Sequence, residues 1–367
     1  MTDSTKTTHI AGTFLIEASG SFLNGAGLGE GEDRNVTVPK TFRDGQYRVP
    51  YVSSQAWKRW LRNTLIEETG WPPSVLKAID LSARGTTSKI AGELNPVDFA
   101  EDDIFGYMRA EKGQGRSPDE DEIEEDESKK GSAGRRTKAV MRASPLAASI
   151  LVSLRKTGWQ GRDEGFVHLK EGTPLPYTTE FYNTHLQGVF CLNYSRLGVF
   201  WNVGDRIELD EDKAEEFLKS KKIRVKEDKG EAGKIYEMVD ANNKRKERTT
   251  ELLKALSKMR GGAKQAQFAT DVSPKVLIMA GLTCGNPVFN DLFTDDIKGP
   301  ALKIDTLKEL VTDYSDRFTT PIFIGIRAGY LKNEEEVKAL HNKNENGVKY
   351  MVTTPICAAE EISKLLP

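Results

Sequence analysis

Three groups of residues in this sequence have types and spacings suited to chemistry. Lys58, Arg59 and Arg62 share one arc of a predicted helix over residues 53–68, set against an apolar stripe of Trp57, Leu61 and Leu65 flanked by Trp60 and Thr64. The helix opens on Ser53, Ser54 and Gln55. Such residues cap a helix start, whose free N–H groups and positive dipole end attract phosphate. A cationic arc beside that start suits a phosphodiester backbone, each contact adding a salt-dependent, sequence-blind increment. Solvated surface charge is the competing reading. The second group is Arg260, Gly261, Gly262 and Lys264. Glycines let backbone amides approach a phosphate and the two cations supply charge; a plain glycine C-cap is the competing reading. The third is the glycine-rich run over residues 25–31, which follows a predicted strand. The third glycine of a dinucleotide fingerprint would fall at Glu30 and no helix opens directly after it, so that reading fails, and no Walker lysine motif occurs.

No nucleophile site is legible. His9, His168, His185 and His341 are scattered, and Cys191, Cys284 and Cys357 are odd in number and far apart, which argues against a zinc site and a disulfide framework. No metal or cofactor is expected. Asp33, after the first strand, is the carboxylate to watch for metal-dependent chemistry; an exposed loop acid is its ordinary reading. A reducing cytoplasmic compartment is the simplest expectation, and no apolar run approaches the roughly 18 residues of a membrane helix.

The net charge of −2 averages two unlike parts. Residues 101–127 hold 12 Asp/Glu against 3 Lys/Arg, and the rest of the chain is +7. Residues 219–264 hold 15 Lys/Arg against 7 Asp/Glu. Such concentration, more than the total, is what phosphate binding requires.

Strands and helices must position these groups. Residues 9–18 read as a strand, 19–31 as a glycine-rich loop, 36–50 as a polar connection turning extended at 47–51, and 53–68 as the first helix, stopped by Gly70 and Pro72–Pro73. Residues 72–144 read as a long insertion, with 117–134 acidic, then Gly/Ser-rich, and expected to be disordered. A strand follows over 145–154, a protruding hairpin over 158–186, a strand over 187–194, a helix over 249–260 and a strand over 276–282; helices at 304–314 and 334–341 flank a last strand at 321–326. The core order is βαββαβ, an α+β, ferredoxin-like or RRM-like arrangement whose antiparallel sheet has a face that commonly serves RNA. Residues 9–71, 145–157 and 187–367 are assigned to it, with C-terminal additions.

Several segments together resemble one family. They are residues 21–25 (SFLNG), 49–62 (VPYVSSQAWKRWLR), 103–107 (DIFGY), 174–182 (PLPYTTEFY), 186–190 (LQGVF), 260–265 (RGGAKQ) and 273–275 (SPK). In order and spacing the chain resembles the "Cas-seven" backbone subunits of the CRISPR interference complex Cascade, in the DevR-like type I-B branch. The resemblance implies a hand shape: an RRM-like palm, fingers at 72–144 and a thumb at 158–186. It implies a non-catalytic subunit stacked in several copies along a CRISPR guide RNA, with target DNA paired to the guide and other Cascade subunits as further partners. By position, Asn24, Ser53, Ser54, Gln55, Lys58, Arg59, Arg62, Arg260, Gly261, Gly262 and Lys264 would contact guide phosphates, and the thumb would present Leu169, Lys170, Tyr177 and Thr178. Sequence would be read by base pairing, as in guide-RNA effectors generally. Two alternatives stay open: a type III-like subunit cleaving target RNA through Asp33, and a monomeric RRM-like RNA-binding protein.

Overall fold

Strand His9–Ser21 is buried at every residue from Ile10 to Ile16. A strand with cover on both faces reads as a continuous apolar run, with no polar residue at alternate positions. It pairs antiparallel with Leu175–Asn193, Phe14 opposite Gly188, and on its other edge with Val276–Leu282, Phe14 opposite Leu277. Leu151–Ser153 lies on the far side of Leu175–Asn193. These four strands, numbered along the βαββαβ order, stand 4-1-3-2, the order of a ferredoxin-like sheet. Tyr47–Val52 and Thr41–Asp44 extend one edge, and Ile322–Ile326 and Val348–Thr353, parallel to each other, extend the other. The α+β, RRM-like expectation therefore holds.

The computed structural model describes residues 6–29, 35–75, 77–81, 87–109, 139–167, 169–296 and 298–367. These form two compact units: Met1–Pro72, Pro145–Leu197 and Asn242–Pro367 make the first, Pro73–Ser144 and Gly198–Ala241 the second.

In the first unit, helix Ser54–Thr69 buries Trp57, Trp60, Leu61, Thr64 and Leu65, and Trp57 meets the Phe14 ring edge to face at 5.4 Å. Gly70, at φ 66°, closes the helix by donating its N–H to Ile66 O. Side chains alternate along a strand, so Ala11 and Leu15 point away from Phe14. They join Cys191, Val276, Ile278 and Ile324 in one cluster with Phe289, Leu307 and Val311 from the C-terminal elements. The sheet face that commonly serves RNA in such folds is here covered over its central strands, because the residues beyond 283 supply an apolar layer that a four-stranded RRM lacks.

Three further expectations are corrected. The glycine-rich run is partly strand: Gly25–Leu28 pairs with Val36–Pro39, which pairs in parallel with Thr178 and Thr179. The polar connection over 36–50 is therefore itself strands, Val36–Pro39 and Thr41–Asp44. The strand expected over 145–154 is two short ones, Leu146–Ala148 and Leu151–Ser153, both along Leu175–Asn193. The protruding hairpin forms as expected: Gln160–Val167 pairs from Gln160 opposite Tyr182 to Val167 opposite Leu175, so its second arm is the outward continuation of a central strand.

The second unit is a six-stranded sheet in the order Ile223–Asp228, Gly233–Met238, Val199–Val203, Arg206–Ile207, Val140–Arg142, Tyr107–Arg109. Residues 198–241, expected in the palm, belong here. The physical reason is the core: Val97 is buried with Phe200, Leu209, Ala214, Phe217, Ile223 and Met238, so the 72–144 insertion borrows most of its apolar cluster from 198–241. Arg142, wholly buried, is held between Asp103 and Glu208, the latter at 3.0 Å, and its guanidinium lies 4.9 Å from the Phe200 ring. The acidic run at 117–134 lies outside the described residues.

Candidate nucleic-acid interface

Three segments converge on the start of helix Ser54–Thr69. Ser53 is its N-cap, with φ −62° and ψ 146°, and the Ser53 carbonyl accepts the Ala56 and Trp57 N–H groups. The Ser53 side chain makes no cap hydrogen bond and the first turn carries no acid. The helix therefore presents its positive end without an internal anion to quench it. Asn24 fixes this entry: its Oδ1 accepts the Ser53 N–H at 3.0 Å and its carbonyl accepts the Lys40 N–H at 2.8 Å. Next to Asn24, the Leu23 carbonyl accepts the Ala263 N–H at 2.9 Å, which draws in the loop after the second helix, Ala241–Ser257.

The predicted cations separate into distinct jobs. Gln55 and Arg59 are exposed and follow one another at a helical spacing, with half-buried Arg62 next on the same stripe. Lys58 is half-buried, donates from Nζ to Leu146 O at 3.0 Å, and burial holds its pKa below the usual lysine range. It braces the helix against the strand at 146 instead of joining an open arc. Arg260 is likewise committed, its guanidinium bonded to Glu67 at 2.9 Å and to Glu68 at 2.7 Å. These two partners hold its charge in place, and Arg260 in turn, with Lys258, holds the Glu68 carboxyl below its usual range.

Gly261 and Gly262 have a packing reason. At φ 149° and 107° both lie in backbone conformations that favour glycine, and a side chain at Gly261 would run into Trp60, one at Gly262 into Leu23 and Gln265. Lys264 keeps a more available charge. It makes no ion pair among the described residues; Nζ donates to Thr179 Oγ1 at 2.8 Å and lies 5.0 Å from the Phe22 ring centre. An ammonium has three donors, so others remain for a ligand.

Asn24, Ser53, Ser54, Gln55, Gly261, Gly262 and Lys264 are thus gathered around the loop at 22–24. Lys170 is not: it lies in the exposed hairpin turn beyond the Val167–Leu175 pair, beside exposed Leu169. Tyr177 is exposed on that hairpin with its ring over Gly165, and half-buried Thr178 sits nearer its base. Asp33 and His168 lie outside the described residues. The sequence reading missed Thr179 and Phe22 as partners of Lys264. The signal available was their place inside two of the family-like segments, but a contact between residues 85 apart leaves no local trace.

The concentration of cations at 219–264 is less open than its count implies. In the second unit Arg224 and Lys226 share Glu237, Lys222 meets Asp98, and Lys229 and Lys234 meet Glu227 and Asp228. In the first, Lys244, Lys254 and Lys258 pair with Glu247, Glu251 and Glu68. Among the described residues no group of three or more His, Cys, Asp or Glu is placed to hold a metal ion, and no helix is long and apolar enough to cross a membrane.

No family model and no curated protein matches the chain. Among solved structures, a chain of one described as "CRISPR RNA-guided surveillance complex, pre-nicking" superimposes with a TM-score of 0.54 at 12% identity, over 98% of this chain and 100% of that one. A second, described as "CRISPR RNA-guided surveillance complex", gives 0.45 at 11% identity over 97% and 99%. At this identity the first likeness speaks to architecture, and this chain shares, from end to end, the fold of a chain in a CRISPR RNA-guided surveillance complex.

Proposed function

We propose that the chain is a non-catalytic backbone subunit of a type I CRISPR interference complex, of the DevR-like type I-B kind, acting in the cytoplasm. It holds the guide RNA by its phosphates, in several stacked copies, while target DNA pairs with the guide and other Cascade subunits complete the assembly. The first unit's sheet and helices are the palm, the second unit the fingers, and the hairpin at 160–182 the thumb.

The observation that carries this reading is the gathering of the loop at 22–24, the uncapped helix entry at 53–55 and the loop at 261–264 in one place. That place offers helix N–H groups, Gln55, Arg59 and Lys264 to an anion and no carboxylate from the helix's first turn. The end-to-end fold likeness supports it. Binding of this kind is blind to sequence and sensitive to salt. The test is the mass of the protein reconstituted with guide RNAs of increasing length. Several chains per RNA, rising with length, is the expected result; one chain per RNA at every length favours the monomeric reading and refutes the stacked one. RNA cut at fixed spacing in the presence of metal, and no longer cut after Asp33→Ala, favours the catalytic one.

A further inference from the structure

The outer edge of the first unit's sheet is a hairpin, Thr41–Asp44 with Tyr47–Val52. Phe42 stands opposite Val49 and Asp44 opposite Tyr47, and Tyr51 is two residues on from Val49. Phe42, Tyr47, Val49 and Tyr51 therefore share one face, and the Phe42 and Tyr51 rings meet edge to face at 5.9 Å. Tyr51 pairs with Val152, Val152 with Gln187 and Gln187 with Leu15, which places these rings on the Leu15 side of the sheet, away from Phe14 and Trp57. The C-terminal cluster closes that side around Leu15. At the hairpin it is partly exposed: Phe42 is 36% and Tyr47 38% exposed, while Val49 between them is 1% exposed.

Two partly exposed rings on one sheet face, Phe42 and Tyr47, point to a planar ligand, and the charge near them says which kind. Residues 40–52 carry three cations and one acid. The acid, Asp44, is already engaged by Lys156 at 2.6 Å; of the cations, Arg48 is held by Glu180 at 3.1 Å and lies with its pair Arg43 on the face opposite the rings, while Lys40 and Arg43 make no ion pair among the described residues. The hairpin is also bonded to the helix entry. Lys40 N–H donates to Asn24 O at 2.8 Å, Tyr51 N–H to Lys40 O at 3.0 Å, and Ser53 N–H to Asn24 Oδ1 at 3.0 Å. A ligand carrying both phosphates and flat apolar rings matches both surfaces. Bases stack on aromatic side chains whatever their sequence, since every base has a π-face.

We propose that Phe42 and Tyr47 form a stacking platform for unpaired bases of a single-stranded nucleic acid that runs past the helix entry. This rests on the phosphate-binding reading above and adds a base-dependent surface to it.

The test compares two labelled strands of equal length on the full chain, a short oligouridylate and an abasic phosphodiester. The Phe42→Ala/Tyr47→Ala variant is expected to bind oligouridylate about tenfold more weakly, the effect of roughly one stacked base, and the abasic strand within about twofold of wild type. Phe42→Tyr/Tyr47→Phe keeps both rings and is expected to bind both strands as wild type does. Equal loss on both strands, no loss on oligouridylate, or an equally large loss in the ring-preserving variant overturns the platform. Wild type binding the two strands equally well also overturns it while leaving the phosphate cradle standing. Wild type binding neither strand fails the cradle itself and the platform with it.

Discussion

Substituting Gly261 by alanine separates two roles for the loop at 261–264. The methyl group would stand 2.6 Å from Trp60 Cβ and closer still to Cγ. Trp60 cannot retreat easily, being 9% exposed on the inner side of helix Ser54–Thr69. The loop cannot retreat either: Arg260 N–H is held by Thr64 Oγ1 at 3.0 Å and Ala263 N–H by Leu23 O at 2.9 Å. Overpacking of this kind costs about 1–3 kcal/mol. A non-glycine residue at φ 149° adds about 1 kcal/mol or more, so Gly261→Ala is expected to destabilise the protein by about 2–4 kcal/mol. Urea unfolding followed by tryptophan fluorescence measures it, and a cycle with Trp60→Leu should show coupling of about 1 kcal/mol or more between the two sites. Stability within about 0.5 kcal/mol of wild type would refute the packing role. If RNA affinity fell while stability held, the glycine would belong at a phosphate and not against Trp60.

Arg59→Ala should weaken RNA binding uniformly across sequences and reduce the slope of log affinity against log salt by about 0.7, one phosphate's share on a single strand; an unchanged slope in a salt titration puts Arg59 outside the interface. Lys58→Ala should instead show in unfolding, losing about 1–2 kcal/mol through the bond to Leu146 O, with the salt slope unchanged. Arg142→Met leaves Asp103 and Glu208 buried without their shared cation and should cost about 3–5 kcal/mol in urea unfolding; less than about 1 kcal/mol would mean the pair is not dehydrated. His185 is held below the ordinary histidine pKa, chiefly by burial, with Arg155 lowering it further and Asp295 and Glu17 acting the other way, and its Nδ1 lies 2.7 Å from the Tyr330 hydroxyl. The unfolded chain then takes up the proton first, so this contribution is full above about pH 6.5 and is lost as pH falls below it; His185→Gln should flatten stability between about pH 7 and 5, and a wild-type curve already flat there contradicts this.

Much of the sheet was legible because its central strands contain apolar runs bounded by breakers. Residues 276–282 and 9–18 needed only local pattern, and helix Ser54–Thr69 only its period and Gly70. What the sequence hid was long-range. Nothing local tells that Phe200 and Phe217 pack with Val97 rather than with the first unit's core, so residues 198–241 were assigned to the wrong body. A helical wheel places Lys58 beside Arg59, yet only the strand at 146 reveals that Lys58 is spent on a carbonyl. The same holds for Arg260, whose partners Glu67 and Glu68 are almost two hundred residues away. In the candidate site, residue types were readable and their availability was not: which cation faces solvent depends on tertiary partners. Nothing local marks Phe42 and Tyr47, because a short strand with an exposed ring looks, in sequence, like one with a buried ring.

The most direct test of the central claim is the RNA that the protein carries. Purified from cells expressing a CRISPR array, the protein should retain RNA of defined length, and sequencing should find variable segments flanked by a constant, repeat-derived tag. Absence of RNA, or RNA of random length without that tag, would contradict the proposal that this fold holds a CRISPR guide.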